Sequence, residues 1–507
     1  MRERTLYALL AMVFALSRLG YYLLGVRFDA RPALHYFQFI DPLLLKQRLF
    51  ESLFYLHSQP PGWNLYTGAV LKFFPVSYPS VFHSVYLLLG LGICWSTYHL
   101  LRICGVSRWL AFSLASWFIV SPGVVLFENY MLYEYLVAFL LLVAAVALFH
   151  FVQEFGVGWA ALFFAALFGL VLVRNFFHLA YFVAIMAALA FLSPSRRRTV
   201  LLCGALPLLA ILGLYTKNWI LFGSFSGSTW MGLNMDTITL HQLTGREATD
   251  FVSRGVISPA SLLELGSPLN LYRPYIAMPA RTGIPVLDDC ATSTGAANFN
   301  CLAFFRVRQI YTRDGLALLR IYPVVYLRSV ETAWFTYFLP AGDYPFFDLN
   351  GPKIHAIDRF WNVAFFGQFK EASDRKELRR LSAGGARTSL ALYTGLFLLV
   401  GLPALWLWSL YHLVTGVRHK ILDPPAAILI GFLLLNIGYV TAIANFLSSF
   451  ENNRYRFPLD AFYVVLLGIA LTNIRPRLLA GWWSRCCRSH PADQPRNTTP
   501  DSASLGW

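Results

Sequence analysis

Apolar side chains run along this chain in about ten stretches separated by short polar links, at 5–24, 81–101, 109–125, 134–152, 159–173, 176–192, 200–216, 389–413, 425–448 and 458–474. Each is near the ~20 residues a helix needs to cross a ~30 Å hydrocarbon layer. The pattern predicts an all-α polytopic membrane protein. One further apolar stretch, 61–74, is too short to span, and its length predicts a juxtamembrane helix lying in the interface.

Composition agrees. With 57% hydrophobic and 13% charged residues, no soluble core could absorb the apolar side chains, so the surplus must face lipid. The net charge of +15 would suggest nucleic acid in a soluble protein. Here many Lys and Arg sit in links between apolar runs, the placement that orients a membrane protein, and no nucleic-acid partner is expected. No small-residue cleavage site follows 5–24, which reads as a retained first span.

With Arg2 and Arg4 on the cytoplasmic side, the alternation puts Arg196-Arg197-Arg198, Arg418 with Lys420, and Arg475, Arg477, Arg485 and Arg488 there too, as the positive-inside tendency requires. Both termini are then cytoplasmic. The chain divides into an N-terminal transmembrane module, 1–216, with a first outside loop at 27–79; a large extracytoplasmic loop domain, 217–388; C-terminal transmembrane helices, 389–474; and a basic tail, 475–507, carrying an Asn497 sequon on the non-glycosylated side. Of seven cysteines, only Cys290 and Cys301 fall outside, where an oxidising medium permits a disulfide.

In so apolar a chain the chemistry should sit where charge interrupts. In the first outside loop, Asp41-Pro42 followed by Leu45, Leu49, Leu53 and Leu56 describes one amphipathic helix with Asp at the N-cap and Pro at its first position. Asp41 is a cap on that reading. Yet Asp29 and Asp41, near His57-Ser58-Gln59 and Pro60-Pro61, also suit a site that takes a proton from a hydroxyl, because partial desolvation raises carboxylate basicity. Glu134 opens an apolar run, where a helix N-terminus favours it, or adds an acid to the same pocket. Arg174 and His178 sit between two runs; snorkelling explains the arginine, and so does attraction of a lipid phosphate. Arg454 and Arg456 lie outside against the charge rule, either pairing with Glu451 and Asp460 or holding phosphate oxygens with planar forks.

The ordered set resembles the GT-C superfamily of membrane glycosyltransferases, most closely the protein O-mannosyltransferase and lipid A aminoarabinose transferase branch. His57-Ser58-Gln59-Pro60-Pro61 with the apolar run to Phe74 is similar to that branch's juxtamembrane helix, and Asn453-Arg454-Tyr455-Arg456-Phe457-Pro458 to its late Arg-Tyr-Arg turn. The likeness covers most of 1–200 and 385–475. The branch's acidic pair after the first span is replaced here by Asp29 and Asp41, and 217–388 matches no motif.

The resemblance implies a GT-C-like bundle in a bacterial inner membrane. It implies sugar transfer, with inversion, from a polyprenyl-phosphate donor to a hydroxyl of a protein, lipid or glycan acceptor. Asp29 or Asp41 would be the base, with Glu134 adding an acid; His57, Gln59, Arg174, His178, Arg454 and Arg456 would bind the donor. No cofactor is required, although the acids leave room for a divalent metal. A flippase of lipid-linked sugar would place ionisable groups along a path at the bilayer midplane. A polysaccharide polymerase or ligase would rely more on arginine and histidine than on a loop carboxylate.

Overall fold

The computed structural model describes residues 2–264, 266–371 and 391–486, with 474–486 by backbone alone. The tail beyond 486, with the Asn497 sequon, lies outside the described residues. Every regular element among them is helical, apart from isolated bridges of Asp29 with Tyr130 and of Ala291 with Ala297.

Among the described residues, seven helices are long and apolar enough to cross a membrane: Glu3–Leu23, Tyr78–Ile103, Glu134–Glu154, Pro194–Phe222, Phe397–Arg418, Pro424–Leu447 and Asn452–Asn473. The expected span at 109–125 is instead a pair, Arg108–Ile119 and Pro122–Glu128, bent by 57°. Ser121 takes an extended conformation at the bend because the ring of Pro122 disfavours helical geometry in the residue before it. The expected spans at 159–173 and 176–192 are helices of 17 and 14 residues, or about 25 and 21 Å at 1.5 Å per residue. They are shorter than a full crossing. Large apolar side chains point outward from the long helices, including Leu206 at 76% and Leu407 at 60% exposed, a distribution suited to lipid.

Glu134–Glu154 is the central helix. Its Leu141, Leu142, Ala144, Ala145 and Leu148 are buried among Tyr78–Ile103, Val157–Val173 and Pro424–Leu447, and the alanines allow close approach. The first span is tied to the bent pair by charge. Arg18 donates to both carboxylate oxygens of Glu128 at 2.8 and 2.6 Å, and the Tyr135 hydroxyl donates to Glu128 at 2.7 Å.

The first loop corrects a sequence expectation. The helix after Asp41 breaks at Arg48 (φ −131°, ψ 44°) into Pro42–Gln47 and Leu49–Phe54. Leu45 and Leu49 still pack on Pro61–Phe73, where Gly68 has no room for a side chain: a Cβ there would collide with both leucines. Gly68→Val is therefore expected to destabilise the full chain by about 1–3 kcal/mol through overpacking, read as a lower melting temperature in detergent. Wild-type melting would mean that the contact is loose.

The loop region starts later than expected, because Arg197–Phe222 runs on to Gly223, whose φ of +68° ends the helix. Met231–Ile238, Gly245–Ser253 and Leu302–Ile321 enclose a separate core including Leu233, Phe251, Phe304, Tyr311 and Leu318. Cys290 and Cys301 are joined as a disulfide. The chain then returns to the bundle: Val324–Tyr337 packs on Pro424–Leu447, and Tyr344 and Phe347 belong to the main core.

Candidate functional site

Where the loops meet the helix ends, a buried cluster of charge forms. Glu134, at the start of the central helix, places Oε1 3.2 Å from Arg174 and 3.6 Å from Arg454. Arg454 also pairs with Glu451 at 3.0 Å and donates to the hydroxyls of Tyr36 (2.6 Å), Tyr455 (3.2 Å) and Tyr344 (3.3 Å). The Arg174 guanidinium lies over the rings of Tyr133, Phe176 and Tyr455 at 4.5–4.7 Å, contacts that favour a desolvated cation. Five separated segments contribute: the first loop, the 130–134 turn, the 174–178 turn, the segment around Tyr344, and the turn before the last helix.

The bonding within this cluster is incomplete. Both Glu134 carboxylate oxygens and Arg454 Nε are buried without a hydrogen-bond partner among the described residues, although Glu134 Oε1 and Arg454 Nε are ion-paired. A small void of about 20 Å³ is lined in part by Glu134, Arg174 and Arg454. Burial pushes the Tyr36 and Tyr344 hydroxyls well above the ordinary phenol range, so both remain protonated.

Asp29 stands one layer away. Its backbone is laced to the 129–131 turn, N–H to Asn129 O at 2.8 Å and O from Met131 N–H at 3.0 Å. Tyr130 of that turn packs edge-on against Tyr344, centroids 6.0 Å apart, and Tyr344 reaches Arg454. The Asp29 carboxylate is buried and held by Arg31 at 2.8 and 2.5 Å. It makes no direct contact with the arginines.

Three expected site residues have other partners. Asp41 caps its helix through Leu43 N–H (2.9 Å) and accepts from the Ser293 backbone (2.8 Å) and hydroxyl, so it ties the first loop to the disulfide-closed segment. His57 is fully buried between the Thr229 hydroxyl (2.9 Å) and the Asn300 carbonyl (3.0 Å), and burial pushes its imidazole well below the usual range. It is a neutral strut. Arg456 donates to the carbonyls of Tyr337 and Leu339 at 2.6 and 2.9 Å and pairs with Asp460 at 3.1 Å, which commits its fork to the backbone. Gln59 is half-buried and lines no cavity described here.

Two larger cavities flank the cluster. One of about 670 Å³ lies beyond the 174–178 turn and is lined by Asn175, His178, the 224–229 segment and Arg308; His178 Nε2 lies 3.2 Å from the Tyr439 hydroxyl. The other, about 370 Å³, touches Gln38, Asp236, Glu451 and Tyr455. The tyrosines and Arg308 carried no sequence signal, since aromatic and basic residues in amphipathic pieces read as ordinary packing, whereas Glu451 pairs with Arg454 as one of the two sequence readings had it. Among the described residues no three His, Cys, Asp or Glu side chains gather as a metal site.

Burial pushes the Asp236 carboxyl up to about 7. An unfolded Asp ionises near pH ~4, so between about pH 4 and 7 the folded state binds the extra proton and stability falls as pH rises. Asp236→Asn is expected to flatten that slope and to melt higher than wild type at pH ~8. Parallel melting-against-pH curves for the two proteins would show instead that Asp236 is solvated.

Comparison with models of protein families, with curated proteins and with solved structures returns no match.

Proposed function

We propose that the protein is a membrane glycosyltransferase of the GT-C type, moving a sugar from a polyprenyl-phosphate donor to an acceptor hydroxyl. The observation that carries this reading is the convergence of Glu134, Arg174 and Arg454 from distant segments into one buried, under-bonded cluster, with Asp29 one layer away. Glycosyl transfer from a lipid phosphate needs an acid–base group and fixed positive charge, and this arrangement offers both.

In the proposed reaction, the acceptor oxygen attacks the sugar's anomeric carbon from the face opposite the donor phosphate. As that bond forms, the carbon–oxygen bond to phosphate breaks and the phosphate departs with the electron pair. Asp29 takes the acceptor's proton. Arg174 and Arg454 stabilise the charge gathering on the phosphate, and Glu134 holds both guanidinium groups in place. Attack from the opposite face inverts the sugar.

The same reading puts the loop face outside the cytoplasm of a bacterial inner membrane, with both termini inside. It counts ten crossings, the bent pair and the two short helices included. The acceptor is a protein, a lipid or a glycan.

The test is incubation of the full-length protein in lipid vesicles with labelled polyprenyl-phosphate sugars. Label recovered on an acceptor, or as free sugar released to water, supports transfer. Label that crosses the bilayer still attached to its lipid would overturn the reading in favour of a flippase.

A further inference from the structure

The 370 Å³ cavity beside the arginine cluster holds polar groups with nothing to bind. Asp236 lies on Met231–Ile238 and is 4% exposed. Its carboxylate has neither a hydrogen-bond donor nor an ion-pair partner among the described residues, yet, unlike the sealed hydroxyl of Ser449, its oxygens touch open space. Three further groups on the same wall are only partly bonded among the described residues. Glu451 gives Oε2 to Arg454 at 3.0 Å and leaves Oε1 without a partner. Gln38 accepts from the Tyr133 hydroxyl at 2.6 Å through Oε1, which leaves its amide nitrogen to donate. The Asn234 side chain has no partner at all.

The rest of the wall is largely aromatic. Phe37 and Trp230 stack with centroids 6.1 Å apart, and Phe346 and Tyr455 also line the space. Aromatic faces are flat and apolar, suited to the C–H face of a sugar ring. The volume lies within the ~300–1,000 Å³ usual for small-molecule sites. Its walls come from the first loop, the 230–241 segment, residues 345–346 and the 448–455 turn, so the cavity sits among loops and not between the middles of membrane helices. Such walls suit a ligand from the aqueous side better than one carrying a long apolar chain.

A buried carboxyl without a donor is costly until a ligand supplies one. Hydroxyl groups fit best, because each both donates and accepts, and this cavity offers carboxylate acceptors beside amide donors. An anion would meet two carboxylates. Burial pushes the Asp236 carboxyl up to about 7, so near neutral pH it is present both as acceptor and as donor, which suits hydroxyls and weakens its pull on a bare cation. We propose that this cavity binds a saccharide unit of the acceptor, its ring against Phe37 and Trp230 and its hydroxyls bonded to Asp236, Asn234, Gln38 and Glu451. The acceptor hydroxyl is then carried by a glycan and not by a protein side chain. Glu451 joins the cavity to Arg454, so the acceptor role rests on the reading of sugar transfer; the binding itself does not.

The experiment is saturation-transfer difference NMR on the full-length protein in a sugar-free detergent. The probes are the methyl glycosides of glucose, galactose, mannose and N-acetylglucosamine, with tetramethylammonium as the cationic control. Wild type should bind at least one glycoside. Asp236→Ala should weaken that affinity about tenfold or more, the loss of a hydrogen bond to a charged group, and Asn234→Ala roughly fivefold, the loss of a neutral one. Melting temperatures show whether each variant is folded, and should Asp236→Ala fail to fold, Asn234→Ala carries the comparison. No glycoside binding to wild type, equal affinity in wild type and the folded variants, or tighter binding of tetramethylammonium than of every glycoside would overturn the proposal. Beside the labelled-donor assay, glycoside binding without transfer supports the saccharide site and removes its acceptor role. Transfer to a serine-rich peptide with no glycoside binding removes this site and keeps sugar transfer.

Discussion

Glu134→Ala is expected to lower stability by about 3–5 kcal/mol, the range for removing one partner of a buried ion pair. Glu134 lies within 3.6 Å of two guanidinium groups, and its removal takes from Arg174 its ion-pair partner among the described residues. Arg454 keeps Glu451 at 3.0 Å, so the penalty falls mainly on Arg174. Replacing both members of the pair should therefore recover part of the loss: Glu134→Ala with Arg174→Leu is expected to melt above Glu134→Ala alone, as coupled neighbours do. Thermal unfolding of the four proteins in detergent closes the cycle. Additive losses would show that Glu134 and Arg174 act independently and that the cluster is held by other contacts.

The membrane-spanning character was legible because bilayer thickness fixes the length of apolar runs, and the seven long helices among the described residues overlap the expected runs, although the one expected at 389–413 is a helix at Phe397–Arg418. The exceptions have local causes. Pro122 bends one expected span through the residue before it, and Arg48 leaves helical geometry so that Leu45 and Leu49 can both reach Gly68. Charge was legible by type and not by partner. The sequence offered both a capping and a catalytic role for Asp41, and the contact with Ser293, 252 positions away, favours the structural one. Arg18 lay hidden within an apolar run, and its acid, Glu128, is 110 residues distant. Arg308 carried no signal in the sequence, yet it is buried on Leu302–Ile321, whose backbone Gly232 approaches closely. Pairings over such separations follow from packing, which a single sequence does not display.

Asp29→Asn is expected to reduce sugar transfer by about 10²–10⁴-fold, the usual worth of a positioned proton acceptor, while the protein still folds. Asparagine keeps an oxygen that can accept from the Arg31 backbone N–H, now 3.1 Å from Asp29, and the backbone lacing to the 129–131 turn does not involve the side chain. It removes the carboxylate's capacity to take a proton. The Arg31 side chain is 59% exposed, so it can swing aside when an acceptor approaches and free the carboxylate. Asp41→Asn supplies the contrast. Its carboxylate caps a helix and accepts from Ser293 with both oxygens; asparagine keeps the cap but turns an amide NH2 toward one Ser293 donor, so that variant should lose about 1–3 kcal/mol of stability and keep most transfer. Initial rates with labelled polyprenyl-phosphate sugar, measured beside melting temperatures, separate the two carboxylates. Full activity in Asp29→Asn would rule it out as the base and leave Glu134, the carboxylate that reaches both Arg174 and Arg454.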